Sequence, residues 1–277
     1  MLRRVMTTDA VRAWAENYRV AWEQSDADGA AALFAESTSY RSNIFAEPHV
    51  GRDGVRAYWA GATGAQEGVS VRIGNPIVDR DRVAIEWWTE MRDREDGDVT
   101  LPGVLFLSFD EHELCTGLRE YYDSHRGRRS PFAGWGVPAP GETERTRAAA
   151  RRWAAAWERS WRTHEVEHAA RLYSDTVVFR SHPFRDAAEG RAGVVDYMKW
   201  AFAAERDQDP AFGEPRVDGA SAAVEYWTTA VDAENDSETT IAGCSLLTFD
   251  TDGRVVGQHD YWHQERGRRR PPAQWGA

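Results

Sequence analysis

Two carboxylates, Glu120 and Asp260, occupy the same place in a short segment that the chain contains twice. Residues 117–122 read Gly-Leu-Arg-Glu-Tyr-Tyr, and residues 257–262 read Gly-Gln-His-Asp-Tyr-Trp. Aromatic residues directly follow the acid in both copies. Burial against aromatic rings raises the pKa of a carboxyl group and suits it to general acid or base catalysis. The same carboxylates could instead be tied by hydrogen bonds to neighbouring groups without any chemistry, and the sequence leaves both interpretations open.

Other segments recur at the same spacing. Residues 40–45, Tyr-Arg-Ser-Asn-Ile-Phe, return at 179–184 as Phe-Arg-Ser-His-Pro-Phe, and Ala-Ile-Glu-Trp-Trp-Thr from residue 84 returns as Ala-Val-Glu-Tyr-Trp-Thr from residue 223. Both copies close with Arg-Gly-Arg-Arg, a proline and Trp-Gly. A repeat offset of about 140 residues is too long for a solenoid and indicates a duplicated whole domain.

Each copy places its helical patterns before its strand patterns. Val11, Trp14 and Tyr18 recur at helical spacing, for example, whereas the second half of the copy reads as successive strands. This order predicts an α+β domain with three helices packed on one face of a curved, mostly antiparallel sheet. The predicted helices are 8–24, 26–34 and one from 53 in the first copy and 144–162, 164–173 and 191–204 in the second; the predicted strands are 38–42, 69–79, 82–92, 99–109 and 114–124, then 176–181, 211–218, 221–232, 238–249 and 254–264.

The domain boundaries follow from the repeat and from a proline-rich junction. We expect a first domain at 1–137, a linker at 138–143 and a second domain at 144–277, because Val137-Pro-Ala-Pro-Gly is a short, extended sequence. Ile85, Trp87 and Trp88 make one strand apolar on both faces. We therefore predict that the two domains pair as an intramolecular pseudo-dimer, in a chain that is a monomer or a homodimer.

Composition argues against several classes of partner. The net charge of -11 disfavours nucleic acid and anionic membrane surfaces, and no apolar run is long enough to cross a bilayer. The basic runs at 126–129 and 266–270 are more typical of arginines paired with carboxylates than of a phosphate site. The two cysteines fall at non-equivalent positions, which disfavours a disulfide framework and predicts a cytoplasmic protein. The N-terminus also lacks the apolar stretch of a signal peptide.

The order of elements resembles that of the nuclear transport factor 2-like superfamily. It consists of two helices, a short strand, a loop ending in Gly-Arg, a third helix and four strands ending in Arg-Glu-Tyr-Tyr-Asp. More narrowly, both copies are similar to SnoaL-like and ketosteroid-isomerase-like proteins. The resemblance implies cone-shaped domains with a pocket between the helices and the concave face of the sheet. It covers nearly all of both copies but is weak on function, because this fold hosts isomerases, cyclases, dehydratases, epoxide hydrolases and non-catalytic binders.

In comparison with the ketosteroid isomerases, both copies lack the two catalytic aspartates of those enzymes. Their oxyanion-stabilising tyrosine falls on Tyr18, but their two catalytic aspartates fall on Ser42 and Leu105. The second copy has Ser181 and Ser245 at the aspartate positions, and Trp153 is its counterpart of Tyr18. Proton abstraction by those two aspartates is therefore not expected in either copy. Tyr18 remains a candidate pocket donor, with a core helix aromatic as its alternative interpretation.

The same resemblance implies which side chains of each strand face the pocket, and it places Glu120 and Asp260 inward. Tyr18 and these two acids are the catalytic candidates. The expected ligand-binding residues are Tyr40, Ser42, Trp87, Thr89 and Tyr122 in the first copy and Phe179, Ser181, Tyr226, Thr228 and Trp262 in the second.

Metal and cofactor sites find little support in the sequence. His259 and Asp260 are adjacent and would point to opposite faces of a strand, while His259 and His263 would lie roughly 13 Å apart along it. One ion needs three or four converging ligands, so no metal site is predicted. No glycine-rich phosphate loop is present, and no cofactor is expected.

Three functions remain open. The first is a cofactor-independent acid–base enzyme of the isomerase, cyclase or dehydratase type, acting on a small, largely apolar molecule. The second is a non-catalytic protein that binds or sequesters an aromatic or polycyclic molecule, suggested by the thirteen tryptophans. A protein-interaction module is the third, although the acidic, self-paired architecture leaves it little room.

Overall fold

The computed structural model describes residues 6–137 and 139–277, which form two compact units divided between Val137 and Pro138. Pro138, the first residue of the predicted linker, lies outside the described residues. The next residue, Ala139, donates its backbone N–H to Ser221 Oγ (3.0 Å) and accepts from the backbone N–H of Ala220 (2.9 Å). The start of the proline-rich junction is therefore hydrogen-bonded to the second unit.

Over residues 6–137, the first unit contains three helices and one mixed sheet. Its strands follow the order β2-β1-β7-β6-β5-β3; β1 and β7 run parallel, and the other neighbours run antiparallel. The elements are α1 Thr8–Glu23, α2 Ala27–Ala32, β1 Phe34–Arg41, β2 His49–Val50, α3 Gly51–Thr63, β3 Gln66–Ile73, β4 Ile77–Asp79, β5 Arg82–Asp93, β6 Gly97–Phe109, β7 Cys115–Tyr122 and β8 His125–Arg126.

The second unit repeats this plan with the strand order β10-β9-β15-β14-β13-β11. The predicted α+β architecture, with helices on a mostly antiparallel sheet, is confirmed in both units. The elements are α4 Thr143–Thr163, α5 Glu167–Ala170, β9 Tyr173–Arg180, β10 Ala188–Glu189, α6 Gly190–Ala203, β11 Glu205–Phe212, β12 Arg216–Asp218, β13 Ser221–Asp232, β14 Glu238–Phe249 and β15 Val255–Arg266.

One prediction about the strands was wrong in both copies. The strands expected at 69–79 and 211–218 are each interrupted, at Gly74 and at Gly213. The closing Trp-Gly segment folds back at this break: Gly136 O accepts from the N–H of Asn75 (2.9 Å), and Gly276 O accepts from that of Glu214 (2.8 Å). A Cβ added at Gly74 would lie 2.9 Å from the Cα of Gly136, so only glycine permits this approach.

The duplicated closing motif is therefore structural. In the Arg-Gly-Arg-Arg part of this motif, a backbone carbonyl accepts the indole N–H of a sheet tryptophan. Arg129 O accepts from Trp88 (2.7 Å), and Arg269 O accepts from Trp227 (3.1 Å). Arg126, Arg128, Arg268 and Arg269 of the basic runs pair with carboxylates, as in the 2.6 Å contact between Arg126 and Asp96. These pairings favour the surface interpretation of the basic runs over a phosphate site.

The core of the first unit lies between α1, α3 and the sheet. Val11, Trp14, Tyr18 and Ala21 occupy one face of α1 and are buried, as the helical spacing predicts. The second unit has the same arrangement, with Trp153 and Trp157 of α4 buried against its sheet. Within the described residues, no helix is long and apolar enough to cross a membrane.

Candidate functional site

A cavity of about 160 Å³ opens between the helices and the sheet of the first unit. Its wall is mostly aromatic, with one carboxylate and one amide among the polar groups. The lining residues are Tyr18, Trp22, Tyr40, Tyr58, Trp59, Ala62, Thr63, Gln66, Trp87, Leu101, Glu120 and Tyr122. Five of the predicted site residues of the first copy are thus brought together around one space.

The strand register aims Glu120 and Tyr40 into this cavity. Tyr40 on β1 pairs with Leu118 on β7, and Glu120 follows two residues later on the same face of β7. On β6, Leu105 lies directly opposite Glu120. Leu105 is the position that the ketosteroid-isomerase comparison gave to a catalytic aspartate, so in this chain the carboxylate stands on the neighbouring strand.

Helix α1 supplies the third member of the group. Tyr18 stacks on Trp14 with ring centroids 5.1 Å apart and meets the edge of Trp59 at 5.0 Å, so its ring is held on two sides. Its hydroxyl reaches Glu120 Oε1 at 3.2 Å and lies 3.1 Å from the hydroxyl of Tyr40. Packing of the helix thus places the phenol within hydrogen-bond distance of the carboxylate.

Glu120 binds both phenols through one oxygen. Tyr40 donates to Oε1 at 2.6 Å, the shorter of the two contacts. Across the described residues Oε2 makes no hydrogen bond with the protein. Because Glu120 lines the cavity, Oε2 is the oxygen available to a bound molecule.

Burial dominates the electrostatics of this triad. It raises the pKa of Glu120 from 4.5 to about 7, against the opposing effect of the hydrogen bonds from Tyr40 and Tyr18. Burial and the nearby Glu120 charge raise the pKa of Tyr18 and of Tyr40 well above the usual range. Both phenols therefore stay protonated at neutral pH and act as donors, while the carboxyl group can gain or lose a proton there.

Two predicted residues of the first copy do not reach the cavity wall. Ser42 lies 3.4 Å from His49 Nε2 and hydrogen-bonds Tyr58, so Tyr58 stands at the wall in its place. Thr89 is fully buried on β5, and its hydroxyl has no hydrogen-bond partner among the described residues. The available sequence signal for Tyr58 was its recurrence as Tyr197 at the equivalent place in the second copy.

The equivalent space in the second unit is nearly filled. A cavity of about 40 Å³ remains beside Asp260, lined by Trp153, Trp157 and Tyr226 among others. Gln258 Nε2 donates to both oxygens of Asp260, at 3.0 and 3.3 Å. Burial raises the pKa of Asp260 from 3.8 to about 7, opposed by hydrogen bonds from Gln258 and Ser245. Both carboxylate oxygens are thus occupied by the protein's own amide.

Gln258 is held in turn by a buried chain of hydrogen bonds. Its Oε1 accepts from the hydroxyl of Tyr173, which itself accepts the indole N–H groups of Trp153 (2.9 Å) and Trp157 (2.7 Å). A network whose members are all satisfied fixes the side chains rather than leaving one free for a ligand. This is the arrangement expected if the second carboxylate is structural.

The remaining predicted residues of the second copy lie at different depths. Phe179 packs against Tyr197 at 4.7 Å between ring centroids, and Ser181 and Thr228 are buried away from the cavity wall. Tyr226 lines both this cavity and an outer cleft, and Trp262 lines only the outer cleft.

The structure changes one residue equivalence that the sequence suggested. The counterpart of Tyr18 is Trp157 and not Trp153, because Trp161, one turn later, contacts Tyr226 just as Trp22 contacts Trp87. The second copy therefore has an indole where the first has the Tyr18 phenol. Tyr18 and Trp157 also keep the 139-residue offset that separates Trp87 from Tyr226.

These features define a two-domain α+β protein with a helix-covered cavity in each half. Residues 11–116 and 138–258 match the SnoaL-like domain, so the chain belongs to the SnoaL-like family and contains two tandem copies of its domain. A search of the curated proteins found no match.

Solved structures similar to this chain cover one domain each. One is an NTF2-like protein of unknown function from Exiguobacterium (15% identity, 42% of this chain, 98% of that chain, TM-score 0.37). A second is SalBIII, an epoxide hydrolase/cyclase-like enzyme in salinomycin pyran ring formation (15% identity, 45% and 97%, TM-score 0.39). A third is a ketosteroid isomerase-like protein from Catenulispora acidiphila in complex with trimethylamine (21% identity, 40% and 85%, TM-score 0.37).

Proposed function

We propose that the first domain is a cofactor-independent acid–base enzyme of the isomerase, cyclase or dehydratase type, acting on a small, largely apolar molecule. The observation that carries this proposal is the triad of Glu120, Tyr18 and Tyr40 on the wall of an aromatic cavity. A carboxyl group with a pKa of about 7 exchanges protons readily at neutral pH, which is what general acid–base catalysis requires.

We infer roles in the reaction for Glu120 and Tyr18 from their positions in the triad. Glu120 Oε2 takes a proton from a carbon next to a carbonyl group, and the electron pair of that C–H bond moves onto the carbonyl oxygen. Proton uptake removes the negative charge that held the two phenols. Tyr18 then donates its hydroxyl to the developing oxyanion. Return of the proton to another atom of the substrate, as the carbonyl bond re-forms, completes an isomerisation. In a dehydration the electron pair returns from the oxyanion, the C–O bond at the β-carbon breaks as a C=C bond forms, and the proton passes to the departing hydroxyl group, which leaves as water.

The size of the cavity restricts the substrate. A cavity of about 150 Å³ accommodates a molecule the size of benzene, and the space beside Glu120 is about 160 Å³. A single ring with few polar groups fits this volume, whereas a polycyclic molecule requires the wall to move. The aromatic lining favours a flat, apolar substrate with a carbonyl oxygen facing the phenols.

In this proposal the carboxylate of the second domain has a structural role. Asp260 has both oxygens hydrogen-bonded to Gln258, and the space beside it is about 40 Å³. Catalysis is therefore proposed at Glu120 alone, although the sequence offered both acids. This difference provides a matched control, since Asp260→Asn alters the equivalent acid in the same chain.

The test is proton exchange at carbon. The full-length protein is incubated in deuterium oxide with a panel of small cyclic ketones and enones, and deuterium uptake is followed by mass spectrometry. Wild type and Asp260→Asn should catalyse uptake from at least one compound, whereas Glu120→Gln should lose about 100-fold or more, the scale of a positioned acid or base. Equal rates for wild type and Glu120→Gln would refute the assignment of Glu120.

The alternative function is a binding protein for an aromatic molecule, favoured by the seven aromatic side chains on the cavity wall. A binder would show quenching of tryptophan fluorescence by a compound that is recovered chemically unchanged and without deuterium. If Glu120→Gln still binds the compound and wild type catalyses no proton exchange, the result would support this alternative.

A further inference from the structure

The second unit has a larger opening outside its filled cavity. This outer cleft, of about 250 Å³, shares Trp161, Tyr197 and Tyr226 with the inner cavity and adds Trp200 and Trp262 to its wall. Trp200 is 62% exposed, which is unusual for so large an apolar side chain. Five aromatic rings therefore surround a space that the proposed catalysis does not use.

Two carboxylates also line the outer cleft. Glu205 begins β11 and Asp232 ends β13, and both belong to the wall. Within the described parts of the chain, neither forms an ion pair with an arginine or lysine side chain. Burial, and to a lesser extent the nearby Asp232, raises the pKa of Glu205, while its hydrogen bond with Trp161 and the nearby His164 oppose this rise. Burial of a carboxylate is costly, and a bound cation would stabilise its ionised form.

Comparison of the two copies shows that two of these features, the Glu205 carboxylate and the Trp200 ring, are particular to the second. Gln66 begins β3 where Glu205 begins β11, and it accepts the indole N–H of Trp22 at 2.9 Å. The first copy thus has a neutral amide where the second has an acid. Gly61 stands at the place of Trp200 in the aligned helices α3 and α6. The second copy therefore has both a charge and an aromatic ring at an opening where the first copy has neither residue.

We propose that the outer cleft binds an organic ammonium ion, with its alkyl groups against the aromatic rings and its charge near Glu205 and Asp232. Cations are attracted to the faces of tryptophan and tyrosine, and the attraction strengthens where water is displaced. A quaternary ammonium group suits this wall because it presents apolar methyl groups and a diffuse charge. Of the described residues, Arg185 is the one arginine or lysine on the cleft wall, and its charge opposes such a ligand.

The experiment is a calorimetric titration of the full-length protein with choline and with its neutral isostere, in which carbon replaces the quaternary nitrogen. Choline should bind at one site per chain and roughly tenfold or more tightly than the isostere, the scale of a cation–π contribution. Equal affinity for the two compounds would overturn the proposal, and so would the absence of choline binding at millimolar concentrations.

Three variants locate the site and separate its contributions. Trp200→Ala should lose most of the choline affinity; because Trp200 is exposed, the variant should fold normally, which circular dichroism verifies. Glu205→Gln should weaken choline roughly tenfold while leaving the isostere unchanged, and Arg185→Gln should tighten choline. Choline affinity unchanged in Glu205→Gln would refute the charge argument. If Trp200→Ala instead altered only the oligomeric state, the cleft would be a contact between copies of the chain and the proposal would fall.

Discussion

Replacing Glu120 by glutamine should make the first unit more stable at neutral and alkaline pH. Glutamine has nearly the same shape, and its carbonyl oxygen can accept from Tyr40 and Tyr18 as Glu120 Oε1 does. It cannot ionise, however, so the variant avoids placing a charge in the aromatic cavity. The stability difference between variant and wild type therefore reports the cost of ionising Glu120 in the folded protein.

The magnitude follows from the pKa of Glu120. Its pKa rises from 4.5 in the unfolded chain to about 7 in the folded protein. The stabilising effect of its bound proton is fully present below pH 4.5 and is lost as the pH rises through about 7. This shift corresponds to about 3 kcal/mol, so Glu120→Gln should match wild type near pH 4.5 and exceed its unfolding free energy by about 3 kcal/mol above pH 7.

Differential scanning calorimetry of the full-length chain at a series of pH values provides the assay. For a unit of this size, about 3 kcal/mol corresponds to a rise of roughly 10 °C in melting temperature. The other titrating groups, including Asp260 in the second unit, contribute equally to variant and wild type and cancel in the difference. A melting-temperature difference that does not change between pH 4.5 and pH 8 would show that Glu120 ionises like an exposed acid, and the reasoning would fail.

Three further changes test neighbouring parts of the structure. Tyr40→Phe removes the hydrogen bond that most lowers the Glu120 pKa, so the midpoint of a tryptophan-fluorescence pH titration should move upward; an unchanged or lower midpoint would contradict the 2.6 Å contact. Gly103→Ala should destabilise the chain by about 1–3 kcal/mol in urea unfolding, because its Cβ would lie 2.7 Å from the Trp87 ring; a neutral effect would mean that this wall is loosely packed. Gln258→Leu leaves Asp260 without its amide donor and should cost about 1–3 kcal/mol, with proton exchange at Glu120 retained; loss of exchange would show that the two domains act together.

The fold could be predicted from the sequence because its signals are repeated and periodic. The helical spacing of Val11, Trp14 and Tyr18 and the long strand patterns each occur twice, so one copy supports the interpretation of the other. The break at Gly74 was missed because it depends on a backbone approach by Gly136, sixty-two positions later in the chain. Local propensity carries no information about such a distant contact.

The candidate site could be predicted only in part. Glu120, Tyr40 and Tyr122 lie on strands, where alternation fixes the face once one position is known. Tyr58 and Trp59 lie on α3, where an apolar pattern predicts burial but does not distinguish a cavity wall from a filled core. The hydrogen bonding of Gln258 to Asp260 could not be foreseen either, because it depends on side-chain direction within one strand.

The position of one phenol distinguishes the two copies. The first has Phe34 at the start of β1 and Tyr40 near its end, whereas the second has the reverse order on β9, Tyr173 and then Phe179. In the first copy the phenol therefore donates to the carboxylate, and in the second it donates to Gln258. An amide directed at Asp260 then occupies the place of a ligand.

The same exchange explains why one half retains an open cavity. A phenol donating to Glu120 leaves Oε2 free and keeps the polar groups at the wall, so the space beside them stays available. The amide of Gln258 and the indoles that fix Tyr173 extend into the corresponding space of the second half. The second half also differs at its outer cleft, where Trp200 and Glu205 stand at the positions of Gly61 and Gln66 in the first half.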